Sequence, residues 1–328
     1  MWNYIKLIRL EYLIFTFATQ YLVYQNVLKI VLQKHTAVFQ PDEPLMYLVF
    51  VATVLIMAGG FVLNDYFDVK IDAINRPNKL IVTQAIPREK AMLFYQILTA
   101  LGVISGLLFS FLVKNFTLAF IFITVPGILW FYSASYKRTL ILGNAAAAFT
   151  AALSILTVII GYLAVLEINF GNTIFQTLIP RDFYTFSGGF VVFLFISVWI
   201  LNILKDFRNE YGDREMESRT MVIKWGEKKS KIFVIALIIT QITLLFIYSL
   251  SLNIDNNHIT LKYFLALIII PSIVLIHLII KAKCVTKYKQ AEFLMNIMVI
   301  SGIFYSFVLS YLLAQANNFP LYGKFLIN

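Results

Sequence analysis

Two acidic stretches, each at the end of a long apolar run, contain the side chains best suited to chemistry. In the first, Asp65, Asp68 and Asp72 follow an apolar run that ends near residue 64. At about 100° per residue, the spacing i, i+3 and i+7 places three carboxylates within roughly 60° of one helix face. Carboxylates this close repel one another unless a cation lies among them. Ligands that are all oxygen suit Mg²⁺ or another hard ion, so we predict a divalent-metal site.

The second acidic stretch repeats this spacing with one change. Asp206, Asn209 and Asp213 are again at i, i+3 and i+7, and they follow the apolar run at 186–204. The middle member is an amide, whose oxygen can bind Mg²⁺ but contributes no charge. Glu210 lies about 100° off this stripe, so it is a poor substitute in a regular helix. The two acidic stretches follow apolar runs that are separated by three others. This arrangement and the repeated spacing indicate an internal duplication.

Basic residues accompany both acidic stretches. They are Arg76, Lys79, Lys137, Arg138, Lys205 and Arg219. Mg²⁺ usually contacts protein through a few carboxylates and completes its shell with water and phosphate oxygens. Lys and Arg side chains can then neutralise the remaining charge of a phosphate group. The combination therefore predicts a site for a metal-bound diphosphate.

The elements that must position these residues are membrane-spanning helices. The chain of 328 residues is 60% hydrophobic and only 13% charged, whereas a soluble domain has about 25% charged residues. Apolar runs of about 20 residues, the length of a transmembrane helix, recur from end to end. They lie near 11–32, 45–64, 91–113, 116–134, 143–166, 186–204, 232–252, 261–280 and 293–315. We expect an all-α polytopic membrane protein of about nine spans, with residues 1–328 forming one domain.

The basic residues predict the orientation of this bundle. With nine spans, 21 of the 27 Lys and Arg residues lie in the loops on one side, which the positive-inside rule places in the cytoplasm together with both acidic stretches. The net charge of +10 then reflects the excess of basic residues in the cytoplasmic loops, and we expect no nucleic-acid partner. A single cysteine, Cys284, excludes an intramolecular disulfide and a thiolate metal cluster. A bacterial inner membrane is the expected location.

With these motifs set out, the sequence resembles the UbiA superfamily of intramembrane prenyltransferases. Asn64, Asp65, Asp68 and Asp72 match that family's N-D-x-x-D-x-x-x-D, and 206–213 is similar to its second aspartate-rich motif. Further similar segments are Tyr132-Ser133, Lys137-Arg138, Gly143-Asn144 and Arg219-Thr220. Departures from the family pattern are Asn209 where many members have Asp, Leu201-Asn202 where some have Arg-Glu, Leu10 where Pro is frequent after Arg9, and Lys79-Leu80 for Arg-Pro.

The resemblance implies Mg²⁺-dependent transfer of a polyprenyl group from its diphosphate to a lipid or aromatic acceptor within the membrane. It implies metal binding by Asn64, Asp68, Asp72, Asp206, Asn209 and Asp213, with the four aspartates of this set as catalytic residues. It implies substrate binding by Asn64, Asp65, Arg76, Lys79, Lys137, Asn144 and Lys205. Aromatic faces stabilise cations, so the aromatic residues near the motifs are candidates for contact with an allylic cation. They are Tyr66, Phe67, Tyr132 and Phe207.

The acceptor stays open between several chemistries. Lys205-Asp206 and Gly212-Asp213, which open and close the second motif, favour a geranylgeranylglyceryl phosphate-type lipid. Aromatic quinone precursors and tetrapyrroles are the alternatives within the family. A transporter or channel is the alternative from another class, because carboxylates in membrane helices also mark ion pathways. Carriers place such groups near the bilayer midplane, whereas both motifs here lie at span ends with basic neighbours. The sequence does not indicate prenyl chain length or oligomeric state.

Overall fold

The computed structural model describes residues 2–33, 43–75, 78, 80–171, 181–252, 254 and 258–317. These residues are almost entirely helical, and no β-strand is found among them. The helices are α1 (Trp2–Leu7), α2 (Leu10–Val23), α3 (Glu43–Phe67), α4 (Val69–Asn75), α5 (Arg88–Leu112), α6 (Phe116–Ala134), α7 (Leu142–Phe170), α8 (Arg181–Glu215), α9 (Met221–Ser251), α10 (Ile259–Lys281) and α11 (Val285–Asn317).

Eight helices within the described ranges are long and apolar enough to cross a bilayer. They are α3 and α5 to α11. The first apolar run is also helical, because α2 continues through a π-helical turn at Tyr24–Leu28 and a further turn at Lys29–Gln33. This stretch is about 36 Å long at the helical rise per residue, enough to cross the hydrocarbon core. For the described part of the chain, the expectation of an all-α bundle of about nine spans is confirmed.

Large apolar side chains cover the outside of the bundle. Phe111, Phe116 and Phe120 on α5 and α6 are largely exposed. So many exposed apolar residues would be unfavourable in water but suit contact with lipid tails. The buried positions concentrate on α7, α8 and α11. The molecule is therefore a multi-pass membrane protein with these three helices at its centre.

Helix α8 organises the interior, since it packs against α7, α9 and α11 and also contacts the short helix α4. Hydrogen bonds between buried polar side chains and neighbouring helices join parts of the bundle. The amide of Gln20, which is 0% exposed, donates to Thr53 Oγ1 at 2.7 Å and to the Ser154 carbonyl at 2.8 Å. These bonds join α2, α3 and α7.

Helices α8 and α9 extend beyond their apolar runs at the end that carries the second motif. Helix α8 continues to Glu215, past the second acidic stretch, and α9 begins at Met221. The first acidic stretch instead crosses a break, because α3 ends at Phe67 and α4 begins at Val69. Gly226, at φ 77°, interrupts α9 in a conformation that favours glycine. The acidic stretches are thus helical extensions of membrane spans.

Gly302 offers a test of the packing between α8 and α11. A Cβ at this position would collide with the ring of Phe193, whereas a Cβ at Gly188 would meet no atom within 4 Å. We expect Gly302→Ala to destabilise the protein by about 1–3 kcal/mol, the usual cost of overpacking. Denaturant unfolding in detergent micelles measures this. Gly188→Ala is the control, and equal stability of the two variants would contradict the packing described.

Candidate functional site

A cavity of about 630 Å³ lies between the helices that carry the two acidic stretches. One end of it is lined by carboxylate, amide and cationic side chains. Deeper in the bundle, the same helices supply apolar walls: Ile56, Met57 and Gly60 of α3, and Leu194, Val198 and Leu201 of α8. The cavity is therefore charged at the level of the span ends and apolar towards the middle of the bundle.

The first motif presents Asn64, Asp68 and Asp72 to this cavity. Two backbone hydrogen bonds keep the chain helical across the break. The Asp68 N–H donates to the Asn64 carbonyl at 3.0 Å, and the Asp72 N–H donates to the Asp68 carbonyl at 2.8 Å. Asp65 does not line the cavity. The Asp65 carboxylate binds Arg9, which does line the cavity. A direct role of Asp65 in ligand binding stays a prediction.

Arg9 is a cavity residue that the spacing of the motifs did not reveal. Its Nη2 donates to Asp65 Oδ1 at 2.6 Å, and its guanidinium lies over the Phe61 ring at 5.1 Å. Burial, the largest single influence, would lower the pKa of Arg9. The charge and hydrogen bond of Asp65, together with the charges of Asp72 and Tyr12, raise the pKa above its ordinary value. Arg9 thus adds a fixed positive charge to the cavity wall. Its signals in the sequence were its position just before the first span and its place in the family pattern.

Lys137 lies directly on the first motif. Its ammonium donates to Asn64 Oδ1 at 2.9 Å and forms an ion pair with Asp68 Oδ2, which also accepts from Asn64 Nδ2 at 2.9 Å. Asp68 is 3% exposed, and its second oxygen, Oδ1, is buried without a hydrogen-bond partner among the described residues. A buried carboxylate oxygen left unpaired costs about 1–3 kcal/mol or more, so this atom is suited to a cationic ligand.

The second motif is one continuous helical face of α8. Asp206, Asn209 and Asp213 all line the cavity, as does Lys205. The amide Nδ2 of Asn144, at the start of α7, donates to Asp206 Oδ2 at 2.6 Å. Glu210 points elsewhere, to Arg214 at 2.8 Å. The three motif side chains therefore share the cavity with those of the first motif.

Residues on the opposite face of this helix fix it in the bundle. Arg208 forms an ion pair with Glu292 of α11. Phe207 stacks on Tyr288, with ring centroids 4.8 Å apart and planes 3° from parallel. These contacts hold the motif end of α8 against the last helix while its other face stays in the cavity.

A direct contact connects the two motifs. Asn75, at the end of α4, accepts a hydrogen bond on Oδ1 from the backbone N–H of Gly212 at 3.1 Å. The approach is so close that a Cβ at Gly212 would collide with the Asn75 amide. This explains why glycine precedes Asp213. Nothing in the motif spacing predicted the contact, because it joins positions far apart in the chain.

The remaining site residues predicted from the sequence divide into two groups. Arg76 and Lys79 lie outside the described residues. Of the four aromatic residues, Tyr132 lines the cavity. The others pack elsewhere: Tyr66 lies under the Arg88 guanidinium, Phe67 against Trp130, and Phe207 against Tyr288.

The side chains of the cavity fit Mg²⁺ shared with a phosphate ligand rather than a site built by protein alone. Within the described residues, no three Asp, Glu, His or Cys side chains are grouped closely enough to hold a metal by themselves. Mg²⁺ is usually bound by one or two carboxylates, with phosphate and water oxygens completing its octahedron. The unpaired Asp68 Oδ1 and the oxygen-only ligands of both motifs meet that requirement.

Comparison with known proteins identifies the family. The model of the UbiA prenyltransferase family matches residues 34–300. The chain belongs to this family. A digeranylgeranylglyceryl phosphate synthase from Sulfolobus acidocaldarius is 31% identical over 260 residues, which cover 79% of this chain and 84% of that protein.

Two solved structures share the fold of this prenyltransferase. A structure of digeranylgeranylglyceryl phosphate synthase in membranes superimposes with a TM-score of 0.60 at 22% identity and covers 93% of this chain and 98% of that chain. A UbiA homologue from Archaeoglobus fulgidus, bound to GPP and Mg²⁺, gives 0.55 at 14% identity and covers 93% of this chain and 99% of that chain.

Asn75→Ala tests whether the contact between the motifs matters for catalysis. Without the amide oxygen, the hydrogen bond from the Gly212 N–H to Asn75 is lost, and with it this link between the two motifs. We expect kcat/KM for the prenyl diphosphate to fall about tenfold, the effect of one part-buried hydrogen bond. The control is Asn169→Ala, which removes a bond within α7 to the Val165 carbonyl. Equal kinetics for both variants would contradict a role for this link.

Proposed function

We propose that this enzyme transfers a geranylgeranyl-type polyprenyl group from its diphosphate to the hydroxyl of a prenylglyceryl phosphate lipid, with Mg²⁺ as cofactor. The observation that carries the proposal is the single cavity that joins both oxygen-rich motifs to apolar walls. A prenyl diphosphate has the same division, with an anionic head and an apolar tail. The motif end suits the diphosphate, and the apolar part suits the tail.

The motifs would hold the diphosphate through the metal. We assign metal binding to Asn64, Asp68, Asp72, Asp206, Asn209 and Asp213. When bound, Mg²⁺ supplies positive charge that offsets the charge developing on the leaving diphosphate. Lys137, already in contact with Asn64 and Asp68, is placed to donate to a diphosphate oxygen in the same region. Asn144 orients the Asp206 carboxylate through its hydrogen bond.

The reaction requires one bond to break and one to form. The C–O bond between the allylic carbon and the diphosphate breaks, and the electron pair leaves with the diphosphate. The acceptor oxygen then bonds to that carbon and gives its proton to the departing diphosphate, which yields an ether. Apolar walls keep water from the allylic carbon, so the lipid hydroxyl is the available nucleophile. Tyr132, which lines the cavity close to the motifs, offers an aromatic face to the developing cation.

Two independent observations support the glyceryl phosphate acceptor. Lys205-Asp206 and Gly212-Asp213 open and close the second motif in the way that favours this class. The Sulfolobus acidocaldarius relative also bears the name of a digeranylgeranylglyceryl phosphate synthase. The transporter alternative has no support, because the family is a prenyltransferase family and the charged groups lie at span ends.

We also propose that the motifs face the cytoplasm. The loops on the motif side contain most of the Lys and Arg residues, including Lys137, Arg138 and Lys281 to Lys289. Positive charge in short loops keeps them on the cytoplasmic side during insertion. The bacterial inner membrane stays a prediction, since neither fold nor family distinguishes bacterial from archaeal membranes.

An acceptor screen tests the proposed activity. We expect purified protein with Mg²⁺ and geranylgeranyl diphosphate to release diphosphate when given geranylgeranylglyceryl phosphate, and EDTA to abolish release. Asp68→Ala and Asp206→Ala should each lower kcat by 100-fold or more, roughly the loss expected for a preorganised electrostatic group.

The control for this screen is Asp182→Ala, because Asp182 is exposed at the far end of α8 from the motif. Full activity in the Asp68 and Asp206 variants would overturn the assigned roles of the motifs. Turnover of 4-hydroxybenzoate or chlorophyllide instead of the glyceryl phosphate would overturn the proposed acceptor.

The only cysteine of the chain tests the orientation. Cys284 is exposed in the short loop between α10 and α11, among basic residues on the motif side. We expect a membrane-impermeant maleimide to label it in inverted vesicles and not in intact cells, because the reagent reaches only the face it is added to. Cys284→Ser is the background control. Labelling in intact cells would reverse the orientation.

A further inference from the structure

The proposed reaction brings two phosphate-bearing molecules to one cavity mouth, and the motifs account for only one of them. The donor's diphosphate is assigned to the metal ligands and to Lys137. The phosphate of the acceptor needs cationic or hydroxyl partners of its own. Among the cations that line the cavity, Arg9 is bound to Asp65, Lys137 is bound to Asp68, and Lys205 interacts electrostatically with Asp206. Arg138 differs, because its guanidinium makes no hydrogen bond or ion pair within the described part of the chain.

The Thr220 hydroxyl is a second polar group without a partner among the residues that the structure describes. Thr220 precedes the first residue of α9, and its side chain makes no capping hydrogen bond there. The residue is 3% exposed and lines the cavity, and its Oγ1 has no hydrogen-bond partner in the described part of the chain. Threonine at such a position usually bonds to a nearby backbone N–H. A buried hydroxyl that does not is available to a ligand.

A backbone hydrogen bond brings these two residues together. The N–H of Arg219, next to Thr220, donates to the carbonyl of Arg138 at 2.9 Å. The loop after α6 and the loop before α9 therefore meet at this point. The carboxylate that faces this region is Asp213, which interacts electrostatically with both Lys137 and Arg138. Asp68 is the other carboxylate that acts on Asp213, so two cations face two carboxylates here. Repulsion therefore does not exclude an anion beside Arg138.

We infer that Arg138 and Thr220 form a second phosphate subsite, which takes the phosphate monoester of the acceptor. A guanidinium binds phosphate oxygens in bidentate geometry, and the threonine hydroxyl donates a further hydrogen bond. The inference rests on the proposed glyceryl phosphate acceptor. It names the residues by which the enzyme would distinguish this acceptor from the same alcohol without a phosphate. The donor's diphosphate is the other possible source of the anion, and the experiment separates the two.

The first measurement compares two acceptors, prenylglyceryl phosphate and the corresponding prenylglycerol. We expect Thr220→Val and Arg138→Gln each to lower kcat/KM for the phosphorylated acceptor about tenfold. The values for prenylglycerol, and the KM for the prenyl diphosphate, should stay within twofold of wild type. Thr220→Ser should restore the loss. Thr240→Val is the control, because Thr240 is exposed on α9 and its hydroxyl donates to the Ala236 carbonyl of the same helix. Equal losses with both acceptors, or a raised KM for the diphosphate, would overturn the inference.

The second measurement does not depend on turnover. Full-length protein in detergent, saturated with Mg²⁺ and inorganic diphosphate, is titrated with glycerol 1-phosphate in a calorimeter. We expect binding to wild type and Thr220→Ser, and at least tenfold weaker binding to Thr220→Val. Absence of wild-type binding under these conditions, or binding that occurs only when diphosphate is left out, would overturn the subsite. If wild type binds glycerol phosphate but prenylates only an aromatic acceptor, the proposed function fails while the phosphate subsite stands.

Discussion

The cost of holding carboxylates beside an apolar bundle is the constraint on which the rest of this structure depends. A charged group near hydrocarbon is tolerated only when an opposite charge or a ligand compensates it. Around the motifs, three carboxylates have a cationic partner: Asp65 has Arg9, Asp68 has Lys137, and Glu292 has Arg208. The second oxygen of Asp68, Oδ1, stays buried and unpaired within the described residues. A site that leaves a carboxylate oxygen in this state is built for a cation that arrives with a ligand.

The fold follows from this arrangement. Helix α8 runs on past its apolar stretch, so that the second motif stays helical and keeps three side chains on one face. The ion pair between Arg208 and Glu292 and the stacking of Phe207 on Tyr288 hold the other face against α11. The bond between Asn75 and Gly212 fixes the first motif against the second. The apolar walls below complete a cavity in which a reactive cation is kept from water.

The spans and the second motif were predictable from the sequence, because both depend on residues close together in the chain. Apolar runs predicted the membrane spans, and the i, i+3, i+7 spacing predicted that the side chains of the second motif share one helix face. Asp65 shows where local reasoning stops. Helical geometry predicts that it shares a face with Asp68 and Asp72, but its carboxylate accepts a hydrogen bond from Arg9, which precedes the first span. Asn75 with Gly212, and Arg138 with Thr220, likewise depend on contacts between distant segments that no spacing rule encodes. The family resemblance identified the chemistry but not these partners.

The central claim is that both motifs hold one metal-bound diphosphate, with the prenyl tail inside the bundle. A structure of the protein with Mn²⁺ in place of Mg²⁺ and a non-hydrolysable prenyl thiodiphosphate tests it most directly. The account predicts anomalous density for the metal between the 64–72 and 206–213 stretches, diphosphate oxygens beside Lys137, and the tail along the apolar walls of α3 and α8. Metal bound to one motif alone, or a tail lying outside this cavity, would contradict it.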